Sequence, residues 1–108
     1  MKGDHLGEFE ELILLAIRAV GEDSYAVPVQ RFVERTARRN VSLGAVYAAL
    51  ERLETKGLAR SRMGEPASVQ GGKARRLYDV TPAGRRALED TRRVRELMWA
   101  AAETERRS

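Results

Sequence analysis

Apolar residues recur at helical spacing from the start of the chain. Phe9, Leu12, Ile13, Ala16, Ile17 and Val20 follow an i, i+3, i+4, i+7, i+8, i+11 pattern, which predicts an amphipathic helix from Leu6 to Val20. Glu8, Glu10 and Glu11 sit in its first turn, where the helix dipole favours anions. Leu6, Leu14 and Leu15 widen the apolar stripe beyond one face, so this helix needs more than one packing partner. Gly21 stands at a C′ position.

A second helix is predicted from Val27 to Arg38, with Pro28 in its first turn, Ser24 or a neighbour as cap, and Val29, Phe32, Val33 and Thr36 facing inward. Arg39-Asn40-Val41 makes a short turn. Ser42 is the N-cap of a third helix, Leu43 to Lys56, whose inward residues are Leu43, Val46, Leu50 and Leu53. Gly57 stops it. The pattern then turns strand-like from Leu58 to Glu65 and again from Ala74 to Val80. Gly64, Pro66 and the Gly71-Gly72 tip lie between, which reads as a hairpin with a long loop. Thr81-Pro82 opens a last helix running to about Glu105, with Thr as N-cap and Pro at N1. No repeat or linker separates a second domain.

Helix, helix, turn, helix, hairpin, helix is the order of a winged helix. The fold class is mainly α with a β-hairpin wing: a winged helix–turn–helix over 1–80 and a C-terminal dimerisation helix over 81–108, forming one compact unit. In a helix–turn–helix the second helix presents its N-terminal residues to base edges in a major groove. Its outward face is expected to be Ser42, Gly44, Ala45, Ala48, Ala49 and Arg52. Small residues there permit close approach, and alanine methyls can touch thymine methyls. Ala is also simply a strong helix former. Tyr47 falls between the faces, either as a core ring whose hydroxyl reaches a phosphate or as a plain core tyrosine. Lys73, Arg75 and Arg76 follow the loop tip, opposite Arg60 and Arg62. They suit phosphate or minor-groove contact, or else form a solvated hairpin face. Arg75 and Arg76 alternate sides of the strand, so only one of them reaches DNA and Arg76 lies over the domain.

Charge placement sharpens this reading. The 108 residues carry 20 basic and 16 acidic groups, a net of +4. Residues 1–34 hold 3 basic and 7 acidic groups, residues 35–86 hold 12 and 4, and residues 87–108 hold 5 of each. A basic middle segment points to a polyanion partner. Seventeen of the cations are arginine; arginine grips phosphate and guanine bidentately. A GC-rich coding bias would explain that ratio equally well, but not the clustering. Absence of cysteine removes disulfides, thiolate metal sites and cysteine nucleophiles. The single histidine, His5, with Asp4 and Glu8 near the terminus, makes a poor metal site. No phosphate loop, paired carboxylate or Ser–His–Asp pattern occurs, and Gly71-Gly72-Lys73 lacks P-loop spacing. The chain is therefore expected to be no enzyme, to need no cofactor or metal, and, lacking an 18-residue apolar run or a signal sequence, to be cytoplasmic.

Along the last helix Ala87, Leu88, Thr91, Val94, Met98 and Ala101 form a stripe beyond the winged-helix core. Such a stripe marks an interface. The surplus face of the first helix, Leu6, Leu14 and Leu15, is its expected partner across a homodimer.

Several segments together resemble the PadR family of bacterial transcriptional regulators, over roughly Leu6 to Trp99. They are the run from Leu6-Gly7-Glu8-Phe9 to Ala16, then Ser24-Tyr25-Ala26-Val27-Pro28-Val29, then Val41 to Glu54 with Lys56-Gly57-Leu58. Gly71 to Tyr78 and Thr81-Pro82-Ala83-Gly84 complete the set. The resemblance implies a winged-helix homodimer that binds palindromic promoter DNA, usually as a repressor, and it moves Tyr47 toward a DNA-backbone contact. Ala26 departs from the glycine common in the family. The length places the chain with short members that have one C-terminal helix. Some members sense planar hydrophobic compounds at the dimer interface through an aromatic residue on that helix; Trp99 is the candidate here, which implies a ligand between the two C-terminal helices. The expected partners are thus double-stranded DNA, a second copy of the chain and a small hydrophobic ligand, with no membrane. The alternative is a winged-helix protein-interaction module whose basic surface is incidental.

Overall fold

The computed structural model describes residues 6–65 and 74–107. The elements run α1 (Glu8–Val20), a single 3-10 turn (Gly21–Asp23), α2 (Ala26–Ala37), α3 (Leu43–Thr55), β1 (Ala59–Met63), β2 (Arg76–Val80) and α4 (Pro82–Arg107). His5, Lys73 and the Gly71-Gly72 tip, singled out above, lie outside the described residues.

Ile13, Ile17, Val29, Val33, Val46, Leu50 and Leu53 form the centre of the three-helix core, each at most 2% exposed. Phe9, Leu12, Phe32 and Leu43 pack around it half-buried. The two-sided apolar surface of α1 has a different use from the one expected. Leu6 and Leu14 are buried inside the chain, at 5% and 0% exposure, and only Leu15 reaches the surface. They are core residues rather than a surface awaiting a second copy. Thr36, expected inside α2, is exposed.

The ends of the helices are tied by specific side chains. Ser24 does not cap α2, whose N-cap is Tyr25 without a side-chain bond. Its buried hydroxyl instead lies 3.0 Å from the Ile17 carbonyl and 2.7 Å from that of Gly21, satisfying the end of α1. The turn between α2 and α3 is clamped at Val41. Gln30 Nε2 donates to its carbonyl at 2.8 Å, and its N–H donates to Glu34 Oε2 at 3.0 Å. Ser42 caps α3 as expected, its Oγ accepting from the Ala45 N–H at 3.1 Å. Gly57, at φ 76°, turns the chain out of α3 in the left-handed region.

β1 and β2 form an antiparallel hairpin with Ser61 opposite Tyr78. The pleat sends Ala59 and Tyr78 toward the core and Arg60 and Arg62 away from it. Tyr78 N–H also donates to the Ser24 carbonyl at 3.0 Å, fastening the hairpin to the α1–α2 link. Thr81 caps α4, accepting from Gly84 N–H at 3.0 Å and donating to the Gly57 carbonyl at 2.7 Å. A Cβ on Gly84 would collide with the Leu58 carbonyl oxygen and come within 2.8 Å of Val80 Cγ1. Close approach of α4 to the hairpin base therefore requires glycine there. Ala87 and Leu88 complete the core, and beyond Thr91 the described side chains of α4 are exposed. At a rise of about 1.5 Å per residue this helix is about 40 Å long, in a molecule 65 Å along its longest axis.

Candidate nucleic-acid interface

Helix phase decides which side of α3 is on offer. Val46, Ala49, Leu50 and Leu53 are fully buried, so Ala49 leaves the outward set proposed from the sequence. Ser42, Gly44, Ala45 and Ala48 are exposed, and Tyr47 is 56% exposed. That excludes the plain core tyrosine. Arg52 is exposed but committed elsewhere: its Nε lies 3.1 Å from Glu10 Oε2 on α1, which turns it from the outward face.

Glu10 is the electrostatic centre that holds α3 in place. It is 5% exposed. Its Oε1 accepts from Lys56 Nζ at 2.8 Å and from Gly7 N–H at 3.1 Å. Burial pushes its carboxyl up, but the bonds from Lys56, Gly7 and Arg52 together outweigh burial and hold it below its ordinary value of 4.5. On α1 the neighbouring Glu8 pairs with Arg39 at 3.1 Å. The acidic start of the chain thus neutralises part of the basic middle segment internally. The net charge of that segment overstates the positive surface it shows.

Between α3, the start of α2 and the hairpin lies a cleft of about 690 Å³, lined by Tyr25, Tyr47, Ala48, Glu51, Arg75 and Tyr78 among others. All three tyrosines of the chain meet here. The Arg75 guanidinium stacks on the Tyr25 ring, 4.3 Å from its centroid. Arg76 lies over the domain as expected, donating to Ser61 Oγ at 2.9 Å, while Ser61 donates to Glu54 Oε2 at 2.7 Å. Arg75 also rests against the domain, on the other wall. Arg62 lies 4.0 Å from Asp79 on the neighbouring strand. Burial, followed by the nearby charge of Glu54, raises the Tyr78 hydroxyl above its ordinary value of 10.0. Sequence reasoning missed Tyr25, Glu51 and Tyr78 as cleft residues. The period-two pattern of β2, with Tyr78 and Val80 on one side, was the available signal for Tyr78.

The second surface lies on α4. Val94, Leu97 and Met98 are 56%, 63% and 65% exposed, at the spacing of one helix face. Leu88, expected among them, is buried at 5% within the chain, and Leu97 was not anticipated. Trp99, 71% exposed, lies on a different side. With Leu15, Leu88, Arg92 and Arg95 it lines a groove of about 340 Å³ between α4 and α1. Arg95 reaches Glu11 across that groove at 2.7 Å. Among the described residues no group of acidic or histidine side chains is placed to hold a metal ion, and no helix is long and apolar enough to cross a membrane.

Comparison with known proteins extends this picture. The chain is 48% identical over 56 residues to transcriptional regulator Rv3488 of Mycobacterium tuberculosis; the match covers 52% of this chain and 49% of that protein. It therefore spans about half the length of this curated relative. A PadR family transcription regulator from hypervirulent Clostridium difficile superposes with a TM-score of 0.75 at 23% identity, over 91% of this chain and 97% of that one. Bacillus subtilis PadR, solved in complex with operator DNA, superposes with a TM-score of 0.63 at 15% identity, over 76% of this chain and 46% of its own. These two show a shared winged-helix fold. Residues 13–90 match the transcriptional regulator PadR-like family, and with the helix–turn–helix, hairpin and α4 in place, the chain belongs to that family of transcriptional regulators rather than to any class of enzyme.

Proposed function

We propose that this regulator binds double-stranded DNA sequence-specifically, acting as a homodimeric repressor on a palindromic operator. The observation that carries the reading is the exposed N-terminal half of α3: a Ser42-capped start with Gly44, Ala45 and Ala48 facing out over a buried Val46–Leu50 side. A surface that lean in side-chain bulk fits a groove floor. The operator complex of the Bacillus subtilis relative supports the same use of the fold. Residues 1–80 would form the DNA-binding part and 81–108 the dimerisation helix, with Val94, Leu97 and Met98 apposed to their counterparts. A small hydrophobic effector would occupy the groove lined by Leu15 and Trp99. Titrating intrinsic tryptophan fluorescence with planar dyes checks that assignment, since the chain has one tryptophan.

The deciding experiment is a mobility shift on the DNA upstream of its own gene, over a range of salt. The expected result is a discrete shift that weakens steeply with salt and resists random competitor duplex. No shift on any duplex, with binding to a protein partner instead, would establish the interaction-module alternative.

A further inference from the structure

The outward face of α3 carries few polar side chains, and most of them are already used. The Ser42 hydroxyl caps the helix, Arg52 is held by Glu10, and Glu54 takes the hydroxyl of Ser61. Glu51 is different. It is exposed, lies one helical turn beyond Tyr47 and Ala48, lines the same cleft, and makes no hydrogen bond or ion pair among the described residues. The two arginines of that cleft are turned to Tyr25 and to Ser61.

A lone carboxylate on a face offered to a polyanion weakens binding to every sequence by charge repulsion. The loss is recovered only where a donor meets it. An ionised carboxylate accepts hydrogen bonds and donates none. In the major groove, guanine presents O6 and N7 and thymine presents O4, all acceptors that repel it. Adenine offers an N6 donor beside the N7 acceptor. Cytosine offers the N4 amino group, the usual partner of Glu and Asp. We propose that Glu51 is a specificity-determining residue that accepts from the N4 amino group of one cytosine in each operator half-site and rejects guanine and thymine there. The inference rests on the reading that α3 enters a major groove.

The test is selection of bound duplexes from a randomised library by the full chain, for wild type, Glu51→Gln and Glu51→Ala, followed by competition binding on the enriched sites. The side chain is exposed and unbonded, so both variants should keep the wild-type circular dichroism and dimer state. Wild type should enrich one fixed cytosine per half-site, and replacing that C·G pair should weaken it on the order of 10- to 100-fold. Glu51→Gln should shift the position to adenine, whose N6 and N7 match an amide. Glu51→Ala should flatten that position alone. If both variants enrich the wild-type motif unchanged, or bind all duplexes uniformly more tightly, the carboxylate faces phosphates and the proposal is overturned. If wild type enriches no motif, the DNA reading itself has failed, a result distinct from either of these.

Discussion

Replacing Glu10 by Ala removes three bonds from a carboxylate that water scarcely reaches. Its side chain is 7% exposed, against 51% for Arg52 and 27% for Lys56. Fully buried hydrogen bonds to charged groups contribute about 1.5–3 kcal/mol each, whereas exposed ion pairs contribute about 0–1. Both cations can turn back to solvent, so each bond belongs near the bottom of the buried range or below it. With the Gly7 N–H included, the sum is about 3 kcal/mol, slightly offset by the better helix propensity of Ala. At roughly 4–8 °C per kcal/mol for a domain of this size, Glu10→Ala should melt about 10–20 °C below wild type. Glu8→Ala is the matched control. It sits in the same turn, and its Arg39 pair is 41% and 61% exposed, so it should shift melting by only a few degrees. The pH dependence follows from the sign. The Glu10 carboxyl is depressed in the folded state, so its contribution is complete above the unfolded value near 4.5 and fades as pH falls through the lower folded value. The gap between wild type and Glu10→Ala should therefore close in acid. Thermal melts followed by circular dichroism at fixed protein concentration, from pH 7 down to pH 3, measure both effects. A Glu10→Ala shift no larger than that of Glu8→Ala, or a gap that stays constant with pH, refutes the reasoning.

Ala48→Glu should abolish operator binding with the fold intact, whereas Arg75→Ala should weaken operator and scrambled duplex alike and lower the salt slope by about 1; matched binding curves at several salt concentrations separate the two. Val94→Glu with Leu97→Glu should give folded monomers in sedimentation, because both side chains are exposed within the chain, and an unchanged dimer would exclude this face as the interface. Gly84→Ala should lower stability by roughly 1–3 kcal/mol or more through overpacking, read from denaturant melts. Tyr78 keeps its proton to higher pH when folded than when unfolded, so the stabilisation is present below pH 10 and lost as pH rises through the folded value; Tyr78→Phe should remove that alkaline loss in melts up to pH 11.

Much of the fold was legible because periodicity and caps are local signals. Ser42, Gly57 and Thr81 mark their boundaries by chemistry that needs no neighbour. What failed needed tertiary information. Ala48 and Ala49 are identical side chains 100° apart on a helix, and only the packing of α3 assigns one outward and one inward. Arg52 falls on the outward side by helix phase alone, and nothing local reveals that its partner, Glu10, lies 42 residues away. Leu6 and Leu14 looked surplus because one helix stripe cannot reveal that a second packing partner belongs to the same chain. Ser24 stood beside a helix start, yet its hydroxyl turned back to the preceding helix end.

The projecting half of α4 divides the molecule into two tiers of protection against local opening. Up to Leu88 the helix belongs to the core, and its amides should exchange with solvent only when the whole domain unfolds. From Arg92 onward the Arg95–Glu11 pair and the groove under Trp99 hold it to α1, while pairs such as Arg92–Glu96 lie within the helix itself. A stretch of about 15 residues held so lightly is marginal as an isolated helix. Its amides should therefore open well below the global free energy, and anything that covers Val94, Leu97 and Met98 should slow their exchange selectively. Hydrogen exchange in residues 92–107 thus acts as a built-in gauge of what is seated on the helix, readable without any attached reporter group.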